Sequence, residues 1–289
     1  MTAATWILAT RPKTLTAAFV PIMVGTLLAP VVNWSIAIFA LLAAFFIQIA
    51  TNLINDSLDF KKGADTEERL GPKRVTQSGL LDSEHVLAGG MACLGLAAVC
   101  GIPLILKGGI PLVLILLISL ACAYLYTGGP MPLAYTGLGD LFVLIFFGWV
   151  STITVYYLQT GSVSFLSILA GTQIGLLATV MIAVNNLRDV NQDRKANKKT
   201  LAVRFGKKFS RIEITFCVIV PFLLGILWAS EGQWLAGFLP FITLPLGSKI
   251  MHGVWTQEPG VVYNEILGLS AALHLSFGIL LSLGYYYQS

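Results

Sequence analysis

The chain has 289 residues, of which 56% are hydrophobic and only 11% charged, and its mean hydropathy is +0.80. That apolar fraction is far too large for a water-soluble domain of this length, which leaves an integral membrane protein. The formal net charge of +4 calls for no nucleic acid, because basic loops beside membrane helices act as topology signals and lie on anionic lipid.

A bilayer core takes about 20 mostly apolar residues per helical crossing, and roughly nine such runs lie between polar breaks. In chain order they are Thr14 to Ala29, Ser35 to Ile54, His85 to Leu106, Ile110 to Tyr126, Leu138 to Leu158, Ser164 to Val184, Ile212 to Ala229, Trp234 to Met251 and Ile266 to Tyr286. The expected fold is an all-α membrane protein of about nine transmembrane helices, with residues 1–289 in one domain. The first run is short and carries Pro21 and Pro30, but without a small-residue cleavage site it reads as a helix, not a signal peptide.

With the N-terminus inside, every Lys and Arg except Lys107 falls on the cytoplasmic side: in the N-terminal segment, in loops at 55–84 and 185–211, and at Lys249. The positive-inside rule therefore predicts an N-in, C-out topology with both large loops in the cytosol. Cys93, Cys100, Cys122 and Cys217 lie within apolar runs and form no CxxC or Cys/His set, so they read as structural thiols. His85, His252 and His274 are equally scattered.

The second run ends in NLINDSLDFKKGAD, residues 52–65. Asn52, Asn55, Asp56 and Asp59 stand at i, i+3, i+4 and i+7, which is one face of a helix. The sixth run closes in VNNLRDVNQDRKANKKTLAVRFG, with Asn185, Asp189 and Asp193 at i, i+4 and i+8. Ionisable groups at membrane helix ends are costly unless they meet a polar cavity or an ion. One such cluster alone is more often a solvated helix terminus, but two of them four helices apart point to an internal repeat and facing half-sites. Hard divalent cations such as Mg²⁺ take oxygen ligands and bridge to substrate phosphate. The interleaved Lys61, Lys62, Lys73, Arg74, Arg188, Arg194, Lys198 and Lys199 supply cations for the phosphate oxygens that metal leaves uncovered. Acid and base together favour a metal-bridged phosphate ester. A cation-coupled transporter would instead place its polar groups near the bilayer midplane.

NLINDSLDFKKGAD resembles the first Asp-rich motif of the UbiA superfamily of intramembrane aromatic prenyltransferases, and DVNQDRKANKKTL resembles the second. RPKTL at 11–15, GPKRVTQSGLL at 71–81 and YTGGPMPLAYTGLGDLFVLIFFGWVS at 126–151 extend the resemblance over roughly residues 6–210 and place it in the naphthoate-prenylating branch. The sequence departs from the family pattern at Gly63, where the first motif's final Asp would stand, and Asp65 is the nearest carboxylate. It departs again at Asn197, which replaces the Gly before Lys198. The loop YTGGPMPLAY lacks the Lys of the 4-hydroxybenzoate branch. Homogentisate and 4-hydroxybenzoate acceptors are the alternatives within the superfamily.

The resemblance implies transfer of an isoprenoid chain from a polyprenyl diphosphate to a dihydroxynaphthoate ring, inside a bundle whose cytoplasmic loops cap the active site in a bacterial cytoplasmic membrane. It implies two Mg²⁺, held by Asn55, Asp56 and Asp59 on one side and by Asp189 and Asp193 on the other, with Asp65 assisting. Arg11, Lys73, Arg74, Arg188 and Lys198 are then expected on the diphosphate. Asp140 either orients the acceptor, acts as its base, or caps a helix start. Gln77, Ser78 and Tyr126 are further acceptor candidates. Phe45, Phe46, Phe60, Tyr124, Tyr126 and Trp149 are candidates for stabilising an allylic cation, with ordinary packing as the alternative.

Overall fold

The computed structural model describes residues 2–65 and 69–288, and among these residues it is helical without a strand. In chain order the helices are α1 (Ala3–Thr10), α2 (Leu15–Leu27), α3 (Trp34–Lys61), α4 (Ser83–Gly108), α5 (Ile110–Leu125) and the one-turn α6 (Leu133–Thr136). They continue with α7 (Gly139–Thr160), α8 (Phe165–Arg188), the short α9 (Val190–Lys195), α10 (Leu201–Ser230), α11 (Trp234–Thr256) and α12 (Tyr263–Tyr286). Side-chain caps start the long ones. Asn33 accepts from the Ile36 amide at 3.2 Å to begin α3, and Asp82 accepts from Glu84 at 2.8 Å to begin α4. Ser164 and Ser167 cap each other's backbone at the start of α8, satisfying amides that have no partner within the helix.

Among the described residues, seven helices, α3, α4, α7, α8, α10, α11 and α12, are long and apolar enough to cross a membrane. Large apolar side chains point outward along them, among them Leu106, Leu117, Ile118, Phe216 and Ile226. Together with the family membership described below, these helices make the chain an integral membrane protein. The other two apolar runs form α2 and α5, of 13 and 16 residues. They rise only ~20 and ~24 Å.

Three local features differ from a plain reading of the runs. Helix α3 continues past Ile54 to Lys61, so the first acid cluster lies on the helix itself. Helix α7 winds as a π-helix over Leu144–Val150, and Gly148 there meets α8 so closely that an added Cβ would lie 2.5 Å from the Gly171 carbonyl. Unbroken apolar sequence carries no sign of such a bulge. Helix α10 is interrupted at Gly206, whose φ of 85° suits a residue without Cβ.

The main core is formed by α2, α8, α10, α11 and α12 around Val20, Ile174, Val180, Ile214, Trp228 and Phe277. Helix α8 is the most enclosed span: 67% of its apolar window is buried, against 22% for α7. Asp189 caps its C-terminal end, so the most enclosed span delivers the second acid cluster to the end of the bundle. Helix α3 packs along α4, and α8 along α10. The 69–82 loop folds back on the bundle end, where Val75 and Leu81 pack with Ala9, Leu53 and Val86. The four cysteines are free, Cys217 buried and the others half-buried.

Candidate active site

The last turns of α3 present Asn52, Asn55, Asp56 and Asp59 toward the bundle end, and each has a different neighbour. Asn52 donates to the Thr10 carbonyl and to Thr14 Oγ1, both at 2.9 Å, and so ties the RPKTL segment to α3. Asp56 accepts from the Val75 and Thr76 amides at 3.2 and 3.1 Å and from the Thr76 hydroxyl. Its carboxylate thus anchors the 69–82 loop: Oδ1 is occupied by both Thr76 donors, while Oδ2 keeps a further lone-pair direction. Asp59, also buried, accepts from Tyr135 Oη at 2.9 Å and from Lys198 Nζ at 2.8 Å. Asn55 Oδ1 is buried without a hydrogen-bond partner.

Just beyond α3, Gly63 has φ 68°. The position that would hold the motif's last carboxylate is a left-handed turn, and that turn brings Asp65 back into the site. Asp65 is buried between Arg69 and Arg74, the latter with Nε at 3.2 Å. Burial pushes its carboxyl up against the opposing pull of Arg69. Its carboxylate is paired with both guanidinium groups.

The second cluster is organised by Arg188. Its guanidinium donates to both oxygens of Asp189 at 2.8 and 2.6 Å, to Asn185 Oδ1 at 2.7 Å and to Asn264 Oδ1 on α12 at 2.7 Å. Asn264 in turn donates to the Leu70 carbonyl at 2.9 Å, and Gly71 lies so close that an added Cβ would meet Arg188 Nη2 at 2.7 Å. Arg188 is buried and committed within the protein. Its fork closes on Asp189, the carboxylate expected to ligate metal. A planar fork matched to a carboxylate does this in a way Lys does not.

Helix α9 carries Asp193, whose carboxyl is raised to about 7, chiefly by burial; Lys198 pulls it down while Asp189 and Asp59 push it up. Asn197 takes φ 61°, the left-handed conformation that Gly or Asn adopts most readily. The replacement of the family's Gly is thus conformationally equivalent, and it turns Lys198 toward Asp59.

Lys198 joins the two clusters through that contact. The Tyr135 ring lies between two ammonium groups, Lys62 Nζ at 4.8 Å and Lys198 Nζ at 4.9 Å from its centroid. Lys62 also donates to the Thr127 carbonyl. Arg11 bears φ 52° at the junction before α2, an uncommon conformation for a residue with a side chain. Burial, then Arg69, lower it to about 10, while Asp56, Asp65 and Asp59 oppose the shift. Arg11 Nη2 and Arg74 Nη1 are buried without hydrogen-bond partners.

Deeper in the bundle, Asn186 Nδ2 on α8 donates weakly to both oxygens of buried Asp140, at 3.4 and 3.3 Å. Gly139 leaves room for Tyr126: a Cβ there would sit 3.3 Å from the hydroxyl oxygen. The other expected contacts are placed differently. Ser78 Oγ donates to the Arg74 carbonyl at 2.6 Å within its own turn. Lys73 is exposed and Gln77 half-buried. Phe60, Tyr124 and Trp149 are exposed, and Trp149 Nε1 donates to Thr172 at 2.9 Å, so these three fit surface packing. Phe45 and Phe46 are half-buried.

Sequence reasoning missed Arg69, Thr76, Tyr135, Asn186 and Asn264. Tyr135 lies inside the quoted YTGGPMPLAY loop, and Asn264 is a polar residue at the start of a span, a signal in its own right.

Among the described residues, no three His, Cys, Asp or Glu side chains are gathered as a ready-made metal site. The donor chemistry nonetheless fits a hard cation: Asn55 Oδ1 is an unpartnered buried oxygen, and the carboxylates of the two motifs, Asp59, Asp189 and Asp193, are hard oxygen donors of the same kind. The unpartnered guanidinium nitrogens of Arg11 and Arg74 fit an anion beside it. An array of this kind at one end of a membrane bundle suits transfer from a phosphorylated donor.

The chain belongs to the UbiA prenyltransferase family, whose family model matches residues 18–260. It is 34% identical to the 1,4-dihydroxy-2-naphthoate octaprenyltransferase of Bacillus subtilis (strain 168), over 95% of this chain and 90% of that one. Its fold is similar to that of a UbiA homolog from Aeropyrum pernix K1 in its apo form, with TM-score 0.70, 18% identity and coverage of 95% and 97% of the two chains. It is also similar to a UbiA homolog from Archaeoglobus fulgidus bound to DMAPP and Mg²⁺, with TM-score 0.61, 16% identity and coverage of 96% and 99%.

Proposed function

We propose that this chain transfers a polyprenyl group from a polyprenyl diphosphate to 1,4-dihydroxy-2-naphthoate, releasing diphosphate and CO₂ and giving demethylmenaquinol for menaquinone biosynthesis. The reading is supported by the near full-length similarity to the naphthoate octaprenyltransferase, together with an acceptor loop free of Lys. In the reaction the allylic C–O bond breaks and its electron pair leaves with diphosphate. The new C–C bond forms at the ring carbon bearing the carboxylate, and the electrons of the C–CO₂ bond return to the ring.

Bound Mg²⁺, two ions in this reading, supplies charge neutralisation to the leaving diphosphate. Asn55, Asp56 and Asp59 would hold it on the α3 side, and Asp189 and Asp193 on the α8 and α9 side. Arg11, Arg74 and Lys198 bind the remaining phosphate oxygens, with Lys73 at the exposed rim. Arg188 fixes the Asp189 carboxylate and Asp65 fixes Arg74. Tyr135 orients Asp59. Asp140 and Tyr126 face the acceptor hydroxyls, with Gln77 the nearest candidate of the 69–82 loop.

The chain is read as one domain over residues 1–289, crossing a bacterial cytoplasmic membrane nine times, α2 and α5 included, N-in and C-out. Its active site faces the cytoplasm, and the prenyl tail extends among the helices toward membrane lipid. The experiment is to supply purified protein with carboxyl-labelled dihydroxynaphthoate, a polyprenyl diphosphate and Mg²⁺. The expected result is unlabelled prenylated product with one labelled CO₂ per turnover. Label retained in the lipid, or prenylation of 4-hydroxybenzoate or homogentisate in its place, would overturn the reading.

A further inference from the structure

Away from the acid clusters, α11 and α12 enclose a cavity of about 360 Å³ whose lining includes Ser248, Lys249, His252, Glu265, Ile266 and Leu269. The two helices touch beneath it, where a Cβ on Gly253 would lie 2.9 Å from Ile266 Cδ1. Ser248, Lys249, His252 and Glu265 are all exposed, so the groove opens on the outside of the bundle between two membrane spans. Among the described residues, Lys249, His252 and Glu265 form no ion pair, whereas neighbouring Glu258 is taken by Lys207 at 2.7 Å and Arg211 at 3.2 Å.

The depths of these charges are ordered. Asn264 contacts Arg188, so the start of α12 and the end of α11 lie at the bundle end that holds the acid clusters. Counting from those helix ends at about 1.5 Å per residue, Glu265 lies ~3 Å in, His252 ~6 Å and Lys249 ~10 Å. A carboxylate stands nearest water, and two basic side chains stand deeper. A phospholipid headgroup with a terminal ammonium has the complementary order: the ammonium is outermost, the phosphate lies beneath it, and the acyl chains are deeper still.

We propose that this groove binds the headgroup of a zwitterionic aminophospholipid. Glu265 takes the primary ammonium, Lys249 and His252 take the phosphodiester, and the acyl chains lie over Leu269 and the outer face of α11. A basic pocket alone would select anionic lipid. Glu265 opposes that choice, because a glycerol headgroup brings no cation to meet it, a serine headgroup brings a second carboxylate beside its ammonium, and a free phosphate would leave it repelled. A choline headgroup carries the charge without an N–H to donate, so the groove favours ethanolamine.

The test uses delipidated full-length protein in detergent, titrated with phosphatidylethanolamine, phosphatidylcholine and phosphatidylglycerol and read by native mass spectrometry. The expected result is preferential retention of phosphatidylethanolamine, reduced about fivefold by Lys249→Met and by Glu265→Gln, as loss of one interfacial charge contact implies. Glu265→Gln should raise retention of phosphatidylglycerol at the same time, and millimolar inorganic phosphate should displace nothing. Circular dichroism establishes that both variants fold. Equal retention of the three lipids, variants that bind like the parent, or displacement by inorganic phosphate would each overturn the assignment, the last by making the groove a site for a free anion.

Discussion

Lys198 and Asp59, 139 residues apart in sequence, meet with Nζ 2.8 Å from Oδ2. Their contact closes the gap between the two acid motifs. The ammonium occupies a carboxylate oxygen that the proposed reaction assigns to metal, so binding of metal and of diphosphate are linked. Asp59 would serve as a metal ligand in the loaded enzyme, and Lys198, released from it, would be free to meet the phosphate. Each ligand should raise affinity for the other, as linkage requires.

Replacing Asp59 or Asp189 by Asn should lower turnover by about 10² to 10³-fold, the range seen when a group stabilising transition-state charge is lost. Expression and thermal unfolding should stay close to the parent. Initial rates at saturating substrates are the measurement, and near-parental rates in a folded variant would show that these carboxylates are not ligands.

Removing divalent metal with EDTA should abolish turnover, and Mg²⁺ should restore it, because the available donors are hard oxygens without a thiolate or imidazole set. Undiminished activity in a preparation verified metal-free by elemental analysis would contradict this.

Arg188→Lys keeps the charge but loses the fork on Asp189. If Arg188 positions that carboxylate, kcat should fall by about 10 to 100-fold, as for other groups that orient ligands, with little change in KM for the prenyl diphosphate. A rise in KM alone would return Arg188 to the diphosphate.

Asp193 sets a pH dependence. Burial raises its carboxyl to about 7, so it is charged and able to ligate above that pH, while a proton competes with metal below it. Apparent Mg²⁺ affinity should therefore weaken as pH falls, approaching tenfold per unit below about pH 7, and Asp193→Asn should flatten the profile. A parental profile equally flat would remove Asp193 from the site.

Asp65→Asn should be milder than Asp59→Asn. Its neighbours are Arg69 and Arg74, so the expected effect is a raised KM for diphosphate with Mg²⁺ affinity nearly unchanged, read from separate titrations of the two.

The acid clusters were legible because helical spacing alone puts Asn55, Asp56 and Asp59 on one face of α3, and the apolar runs located most spans to within a turn. The loop contacts were not. Thr76 reaches Asp56, and Tyr135 reaches Asp59, through backbone turns whose course no periodicity encodes. The fork of Arg188 on Asp189 was not legible for a chemical reason: an Arg beside an Asp carries the same letters whether its fork closes on that Asp or opens toward a ligand. The π-helical stretch of α7 was invisible because its residues are as apolar and as helical as those around it.

The hydrogen bond from Asn264 to the Leu70 carbonyl spans 194 positions of sequence, and the same Asn264 receives Arg188. The catalytic end is thus completed by a helix that leaves the ribosome after both acid motifs. Until α12 docks, Arg188 and the loop at Leu70 lack the partner that fixes them, and a chain with its acid motifs already synthesised remains inactive. Contacts this distant in sequence form late in folding, so maturation of the enzyme should be limited by insertion of its C-terminal helices, and a chain truncated before α12 should reach the membrane without gaining activity.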